Sequence, residues 1–284
     1  MSDPAKHILL TEGPDRTGLI YHVMGVLFRH GLNVIHNNEY VSPMGHFFMR
    51  TEFSAPVDGT LDADTLLDEL HTALPDSGIV FRLSPQRKKP IVVMVTKEHH
   101  CLGDLLIRHA FNELNADILA VVSNYDTLEP LVSKFGIPFH HVSHDAPSRD
   151  EHEAVIQQIL SSYQPEYIVL AKYMRVLTPD FVNQYPNRIV NIHHSFLPAF
   201  VGANPYRQAF ERGVKIIGAT AHFVNNDLDE GPIIAQNVKE VNHRQSAADM
   251  ATEGRDVEKI VLSQALKLVF NDRVFIAGNR AVVL

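Results

Sequence analysis

The chain has 284 residues, one cysteine and a formal charge of −8 with histidine neutral. That length predicts two domains with a sizeable core, and the acidic balance excludes a general electrostatic field for nucleic acid or an anionic membrane, leaving small molecules as the expected partners. Cys101 has no partner for an intrachain disulfide, Met1 to Leu10 carries no signal-peptide pattern and no apolar run reaches membrane-spanning length, so the expected location is the reducing cytoplasm.

A strand over Lys6 to Leu10 leads into Glu12-Gly13-Pro14-Asp15-Arg16-Thr17-Gly18. A helix follows whose apolar stripe is Ile20, Val23, Met24, Leu27 and Phe28, at the i, i+3, i+4, i+7, i+8 spacing of one helical face. Gly31 ends it. Strands follow near Leu32 to Tyr40 and His46 to Phe53, then a helix from about Asp62 to Leu74 and a strand over Ile79 to Leu83. The order is βαββαβ. Ser84-Pro85-Gln86-Arg87-Lys88-Lys89-Pro90 is polar, basic and framed by prolines, and reads as a linker. The expected division is a small domain over 1–83, a linker over 84–90 and a larger domain over 91–284.

The first-domain order, with Asp15-Arg16-x-Gly18 after its first strand and Gly31-Leu32-Asn33-Val34 entering its second, resembles the ACT module, a small regulatory domain. The resemblance implies an amino-acid effector near Asp15, Arg16, Gly18 and Asn33. It also implies paired modules, and hence an even-numbered homo-oligomer, a dimer or tetramer. The alternative for Gly18 and Asp15 is local: a turn and a helix cap.

Beyond the linker, strand and helix alternate. Ile91 to Val95 precedes a helix from Gly103; Ile118 to Ser123 precedes a helix near Leu128 to Phe135; Pro138 to His141 precedes a helix from about Arg149 to Ser161. Then come Tyr167 to Leu170, a short helix Pro179 to Gln184, Ile189 to Ile192, a helix around Tyr206 to Arg212, Ile216 to Val224 and Ile233 to Val241. This predicts a doubly wound, mostly parallel α/β sheet. Ser246-x-x-Asp249 is a capping box for a last helix with Val257, Ile260, Val261, Ala265, Leu268 and Val269 on its apolar face. Val274 to Ile276, Gly278-Asn279 and Ala281 to Leu284 predict a terminal hairpin.

Two segments carry chemistry. Asn191-Ile192-His193-His194-Ser195-Phe196-Leu197-Pro198 and Thr220-Ala221-His222-Phe223-Val224 are β-prone runs that stop at polar groups, where open α/β sheets hold their ligands. Strand alternation points Asn191 and His193 the same way, with Ile192 toward the core. Asp229 lies on the loop ahead of the next strand, sharply turned by Gly231-Pro232, and brings a carboxylate to face the pair. Two donors for an oxygen gaining charge plus one acid/base group suit acyl chemistry without a Ser or Cys nucleophile.

These runs, with Leu228-Asp229-Glu230-Gly231-Pro232, resemble the signature of the folate-dependent formyltransferases. The resemblance implies Asn191, His193 and Asp229 as catalytic residues. It implies a pterin pocket at Met174-Arg175-Val176-Leu177 and a pterin-closing loop over Asn225, Asn226, Asp227, Leu228 and Asp229. His222 is expected to support Asp229 by a hydrogen bond. Arg175 either positions folate or pairs with a surface carboxylate; Lys172, Arg207, Arg212 and Lys215 either meet a folate glutamate tail or are scattered exposed cations.

Within the family, Asn191 to Ala199, Val201 to Tyr206 and Lys215 to Val224 are similar to the branch that hydrolyses its formyl donor, 10-formyltetrahydrofolate. Where the transferase acting on glycinamide ribonucleotide has a Gly/Ser-rich phosphate turn, this chain has Lys97-Glu98-His99-His100-Cys101, with no glycine before Gly103. Backbone amides close on a phosphate only where side chains are small, and Glu98 adds a repelling charge. Water is then the expected acceptor. Formate and tetrahydrofolate would be the products, and the resemblance implies that formate feeds purine synthesis and balances one-carbon pools.

A transferase with an unphosphorylated acceptor and a non-catalytic amino-acid and folate sensor remain as alternatives. A transferase for methionyl-tRNA is disfavoured by the negative charge. Folate enters as substrate, and no metal cofactor is expected: the 17 histidines supply no His-Glu-x-x-His helix, and the lone Cys builds no ligand cluster.

Overall fold

The structure, a computed structural model, describes residues 6–55, 61–145, 148–199 and 205–284. Val201 to Asn204, part of the family-like motif and of the expected helix start, lie outside the described residues. Contacts divide the chain into two units: residues to Arg87 with Asn271–Phe275 and Val283–Leu284, and Lys88–Phe270 with Ile276–Val282.

The first unit runs β1 (Lys6–Pro14), α1 (Leu19–Arg29), β2 (Asn33–Val41), β3 (His46–Ser54), α2 (Ala63–Ala73) and β4 (Val80–Pro85), the expected βαββαβ order. Its sheet is antiparallel in the order β2-β3-β1-β4. Asp62 caps α2, its carboxylate accepting the Thr65 N–H at 3.2 Å. The buried face of α1 differs from the expected stripe: Leu19, Val23, Val26 and Leu27 are inside, while Ile20 and Phe28 are 41% and 83% exposed. Both stripes have helical spacing, and packing on the sheet selects the one rotated by about a residue.

The end of the chain also differs from the expected division. The Arg50 guanidinium donates to the Asn271 carbonyl from two nitrogens, each at 3.2 Å, and Phe275 packs 5.4 Å from Phe48 between ring centroids. The segment is thereby drawn into the first unit's packing. Strand β4 runs through Pro85 and the next strand starts at Lys89, so only 86–88 lie between strands in the expected 84–90 linker.

The second unit carries β5 (Lys89–Val95), α3 (His100–Ala110), β6 (Ala116–Ser123), α4 (Glu129–Val132) with a tight turn at 133–135, β7 (Phe139–His141), α5 (Arg149–Tyr163) and β8 (Tyr167–Leu170). Then follow α6 (Pro179–Gln184), β9 (Ile189–His193), α7 (Pro205–Glu211), β10 (Ile216–Phe223), β11 (Ile233–Glu240) and α8 (Ala247–Phe270). The sheet order is β11-β10-β9-β8-β5-β6-β7, parallel from β9 to β7, with β10 antiparallel to both neighbours. A last hairpin, β12 (Val274–Ala277) and β13 (Arg280–Val283), turns at Gly278 with φ 61.

Strands buried on both faces read as continuous apolar runs, and Ile91 to Val95 is 0% exposed throughout. Val92, Met94, Ile168 and Leu170 pack with Ile156, Leu160 and Phe181 from α5 and α6. Each such side chain contributes roughly 1.5–3 kcal/mol by leaving water. The chain winds outward from β5 to β7 and then returns to β8 on the other side of β5. That reversal opens a crevice at the strands' carboxyl ends.

Candidate active site

Asn191 and His193 sit at the end of β9 on one face, and Ile192 between them is 3% exposed on the other. β10 pairs antiparallel with β9 in a register that sets His222 opposite Asn191 and Thr220 opposite His193. Directly paired strand residues bring their side chains into reach. The His222 Nε2 is 3.2 Å from the Asn191 Nδ2, and its Nδ1 is 2.8 Å from the Phe223 carbonyl oxygen. A carbonyl only accepts, so Nδ1 carries the proton and Nε2 accepts the amide N–H. Burial lowers the His222 pKa and favours this neutral form.

This corrects the expected support of Asp229. His222 is 3.8 Å from the Asp229 Oδ1, beyond hydrogen-bond range, and the residue it orients is Asn191. His193 makes the contact instead, with Nδ1 at 3.2 Å from the same oxygen. The His193 Nε2 is buried without a hydrogen-bond partner. Such a group, in a side chain 7% exposed, has its bonding capacity left for a substrate.

Local geometry holds Asp229 in place. Its φ is 58, a left-handed conformation that Asp tolerates better than most residues. Asn225 Oδ1 accepts the Asp227 N–H at 3.1 Å, and the Asn279 amide donates to the Glu230 carbonyl at 2.7 Å. Asn279, read from sequence only as a hairpin turn, thus anchors the loop. A Cβ at Gly231 would stand 1.8 Å from the Phe223 carbonyl oxygen, so only glycine lets the loop close on β10. Burial alone would raise the Asp229 pKa, but the hydrogen bond and charge of His193, with His222 and His194 nearby, lower it on balance. The carboxylate is ionised at neutral pH.

A cavity of about 350 Å³ opens on this trio. Asn191, His193, His222 and Asp229 line it together with Met174, Arg175, Val176 and Leu177 after β8 and with Asn225, Asn226, Asp227 and Leu228. Every residue expected at the catalytic centre and pterin pocket therefore borders one space. Tyr173 and His194 line it too and were not singled out for it from sequence, and so does Lys172, considered there only for a folate glutamate tail. His194 is a neutral imidazole, its pKa lowered to about 4 by burial and by the nearby Lys172 charge.

Of the cations considered for a glutamate tail, Arg207 pairs with Glu211 at 2.8 Å, and Lys172 is buried beside Glu258 at 3.3 Å. The turn after β5 carries Thr96, Lys97, Glu98 and His99 before α3 starts at His100. The Thr96 hydroxyl donates to the Lys172 carbonyl at 2.8 Å. His100 and Cys101 are in the helix and buried, three positions earlier than the expected start at Gly103. Among the described residues, His100, Cys101 and Glu258 lie close enough to share an ion. The Lys172 ammonium, 3.3 Å from the Glu258 Oε2, already supplies positive charge there, which disfavours a second cation.

In the first unit, Asp15 and Arg16 are exposed in the turn before α1, and Asn33 is exposed at the start of β2. Gly18 is the N-cap of α1 with φ 89 and no side-chain cap. The Asp15 N–H donates to the Gly45 carbonyl at 2.8 Å, part of the turn.

A family model described as formyl transferase matches residues 89–266. The formyltetrahydrofolate deformylase of Haemophilus influenzae is 53% identical over 98% of this chain and 99% of its own. A crystal structure of a formyltetrahydrofolate deformylase from Pseudomonas putida superposes with a TM-score of 0.92 at 39% identity, covering 98% of this chain and 100% of that one. One from Pseudomonas syringae gives 0.94 at 37% identity, covering 100% and 96%.

Proposed function

Because the chain belongs to the formyl transferase family, among the formyltetrahydrofolate deformylases, we propose that it hydrolyses 10-formyltetrahydrofolate to formate and tetrahydrofolate with water as the formyl acceptor. One observation carries the assignment of roles: a buried His193 whose Nδ1 meets the Asp229 carboxylate at 3.2 Å and whose Nε2 has no protein partner. With Nδ1 donating to Asp229, His193 must carry a second proton to donate from Nε2.

The formyl nitrogen also bears an aryl ring, which weakens amide resonance and makes the amine a tolerable leaving group. Water therefore attacks the carbonyl directly. The Asn191 amide and the His193 Nε2–H receive the oxyanion, each such donor contributing about 3–4 kcal/mol. The His193 contact uses Oδ1 of Asp229, and Oδ2 is the oxygen we assign to the attacking water. Asp229 takes the water proton and returns one to the departing nitrogen. A carboxylate held below its usual pKa range is a weak base, so oxyanion stabilisation carries more of the barrier reduction than proton transfer does.

Folate is the substrate rather than a cofactor, and none of these steps calls on a metal. Met174 to Leu177 and Asn225 to Leu228 would enclose the pterin. The small unit would hold an amino-acid effector at Asp15, Arg16, Gly18 and Asn33 and pair with a second copy, giving a dimer or tetramer. No helix among the described residues is long and apolar enough to cross a membrane, and we place the activity in the cytoplasm, where the formate would feed purine synthesis and balance one-carbon pools. The test is incubation of purified protein with the formyl donor and no other acceptor. Formate and tetrahydrofolate in equal amounts are expected; donor consumption that waits for an added acceptor would favour a transferase.

A further inference from the structure

Lys172 combines three properties foreign to a surface cation. Its backbone is left-handed, with φ 66, which is costly for a residue bearing a Cβ. Its side chain is only 8% exposed. Its Nζ lies 3.3 Å from the Oε2 of Glu258, a carboxylate whose side chain is 1% exposed.

The rest of that carboxylate is occupied as well. His100 Nε2 donates to Oε2 at 2.7 Å, and the Tyr206 hydroxyl donates to Oε1 at 2.6 Å. Burial alone would push the Glu258 carboxyl up, but the His100 bond, the Lys172 charge and the Tyr206 bond outweigh it and hold it at about 2. A buried carboxylate with both oxygens engaged holds its partners in one geometry. Lys172 is therefore fixed in place.

This cluster stands between two spaces. The reaction centre lies in the cavity of about 350 Å³, and a second cavity of about 480 Å³ opens on Glu98, Arg207 and Arg255. Lys172, Met174 and His194 line both. A polyatomic acceptor approaching the formyl carbon from the second cavity must displace that wall. Water, with a share of liquid volume of about 30 Å³, needs far less room.

We propose that Lys172, clamped by Glu258, is a specificity-determining plug on the acceptor side, which passes water to the formyl carbon and keeps amine acceptors out. The inference rests on the hydrolytic reading above and deepens it. Lys172→Gly removes the plug and relieves the left-handed backbone, leaving Glu258 with its His100 and Tyr206 bonds. An amine then attacks in place of water. The bond from the formyl carbon to the folate nitrogen breaks and a bond to the amine nitrogen forms. The amine releases one proton, the folate nitrogen takes one, and nothing is oxidised or reduced.

The experiment supplies formyl donor and glycinamide, an unphosphorylated primary amine, and quantifies formate, formylglycinamide and tetrahydrofolate. The parent protein is expected to give formate alone at every glycinamide concentration. Lys172→Gly is expected to raise the ratio of formylglycinamide to formate to about tenfold or more above that of the enzyme-free background, within the range that a steric change in a pocket can shift selectivity. Lys172→Ala, which empties the same volume but keeps a Cβ, is expected to act in the same direction and serves if the glycine variant does not fold. Formylglycinamide made by the parent overturns the proposal. So do variants with native circular dichroism whose formyl groups all become formate or stay on folate. Failure of the hydrolytic reading itself looks different, because the parent would then release no formate without an added acceptor.

Discussion

The Nε2 of His222 accepts the side-chain amide of Asn191 at 3.2 Å across the β9–β10 pair. This bond fixes which edge of the amide faces the cavity and so which group meets the formyl oxygen. His222→Ala should lower kcat while leaving folate binding near the parent value. Asn191→Ala should cost about 10²- to 10³-fold in kcat, the loss of one oxyanion donor. Because the two residues share one bond, the double variant should lose little more than Asn191→Ala alone. Losses that multiply would mean that His222 acts elsewhere.

Gly231 is expected to be as sensitive as a catalytic residue although it touches no substrate. A Cβ there would meet the Phe223 carbonyl oxygen at 1.8 Å, and the backbone must shift to relieve it. Asp229 sits two residues earlier on the same loop, and misplacement by about 1 Å can cost on the order of 100-fold in rate. Gly231→Ala should therefore depress kcat strongly with a modest fall in melting temperature. Parent kinetics in that variant would show the loop to be tolerant.

Stability should fall on mild acidification. Burial lowers the pKa values of His194, His222 and His152, so each binds a proton more readily unfolded than folded. The stabilisation is complete above the ordinary histidine value of 6.5 and is lost as pH falls through the folded values, which for His194 is about 4. The share of His194 is on the order of 3 kcal/mol. Glu258, also held below its ordinary value of 4.5, adds its loss only below that pH. Urea midpoints measured from pH 7 to 5 should decline steadily; a constant midpoint would contradict this account.

Local patterns carried the fold and the trio. Alternation along Asn191-Ile192-His193 tells which side chains share a face, and Ser246-x-x-Asp249 marks its helix start, with the Asp249 N–H donating to the Ser246 hydroxyl at 3.2 Å. What stayed hidden depends on pairs far apart in sequence. Lys172, just after β8, meets Glu258 of α8 across a long separation in sequence, and nothing beside either residue signals it. Glu258 sits amid the apolar positions of α8, where a carboxylate reads as an ordinary polar neighbour of Val257. The partner of His222 was misjudged for a related reason: motif spacing brings it near Asp229, but strand register decides that it meets Asn191. The offset face of α1 follows from a choice between two equivalent stripes that only the sheet beneath resolves.

The most direct test of the central claim compares Asp229→Asn with the parent, measuring folate affinity and formate release from 10-formyltetrahydrofolate without added acceptor. The substitution keeps the side chain's shape and removes its charge and basicity. Folate binding close to the parent's and turnover lower by about 10²- to 10⁴-fold are expected. Formate released at the parent rate would contradict the claim.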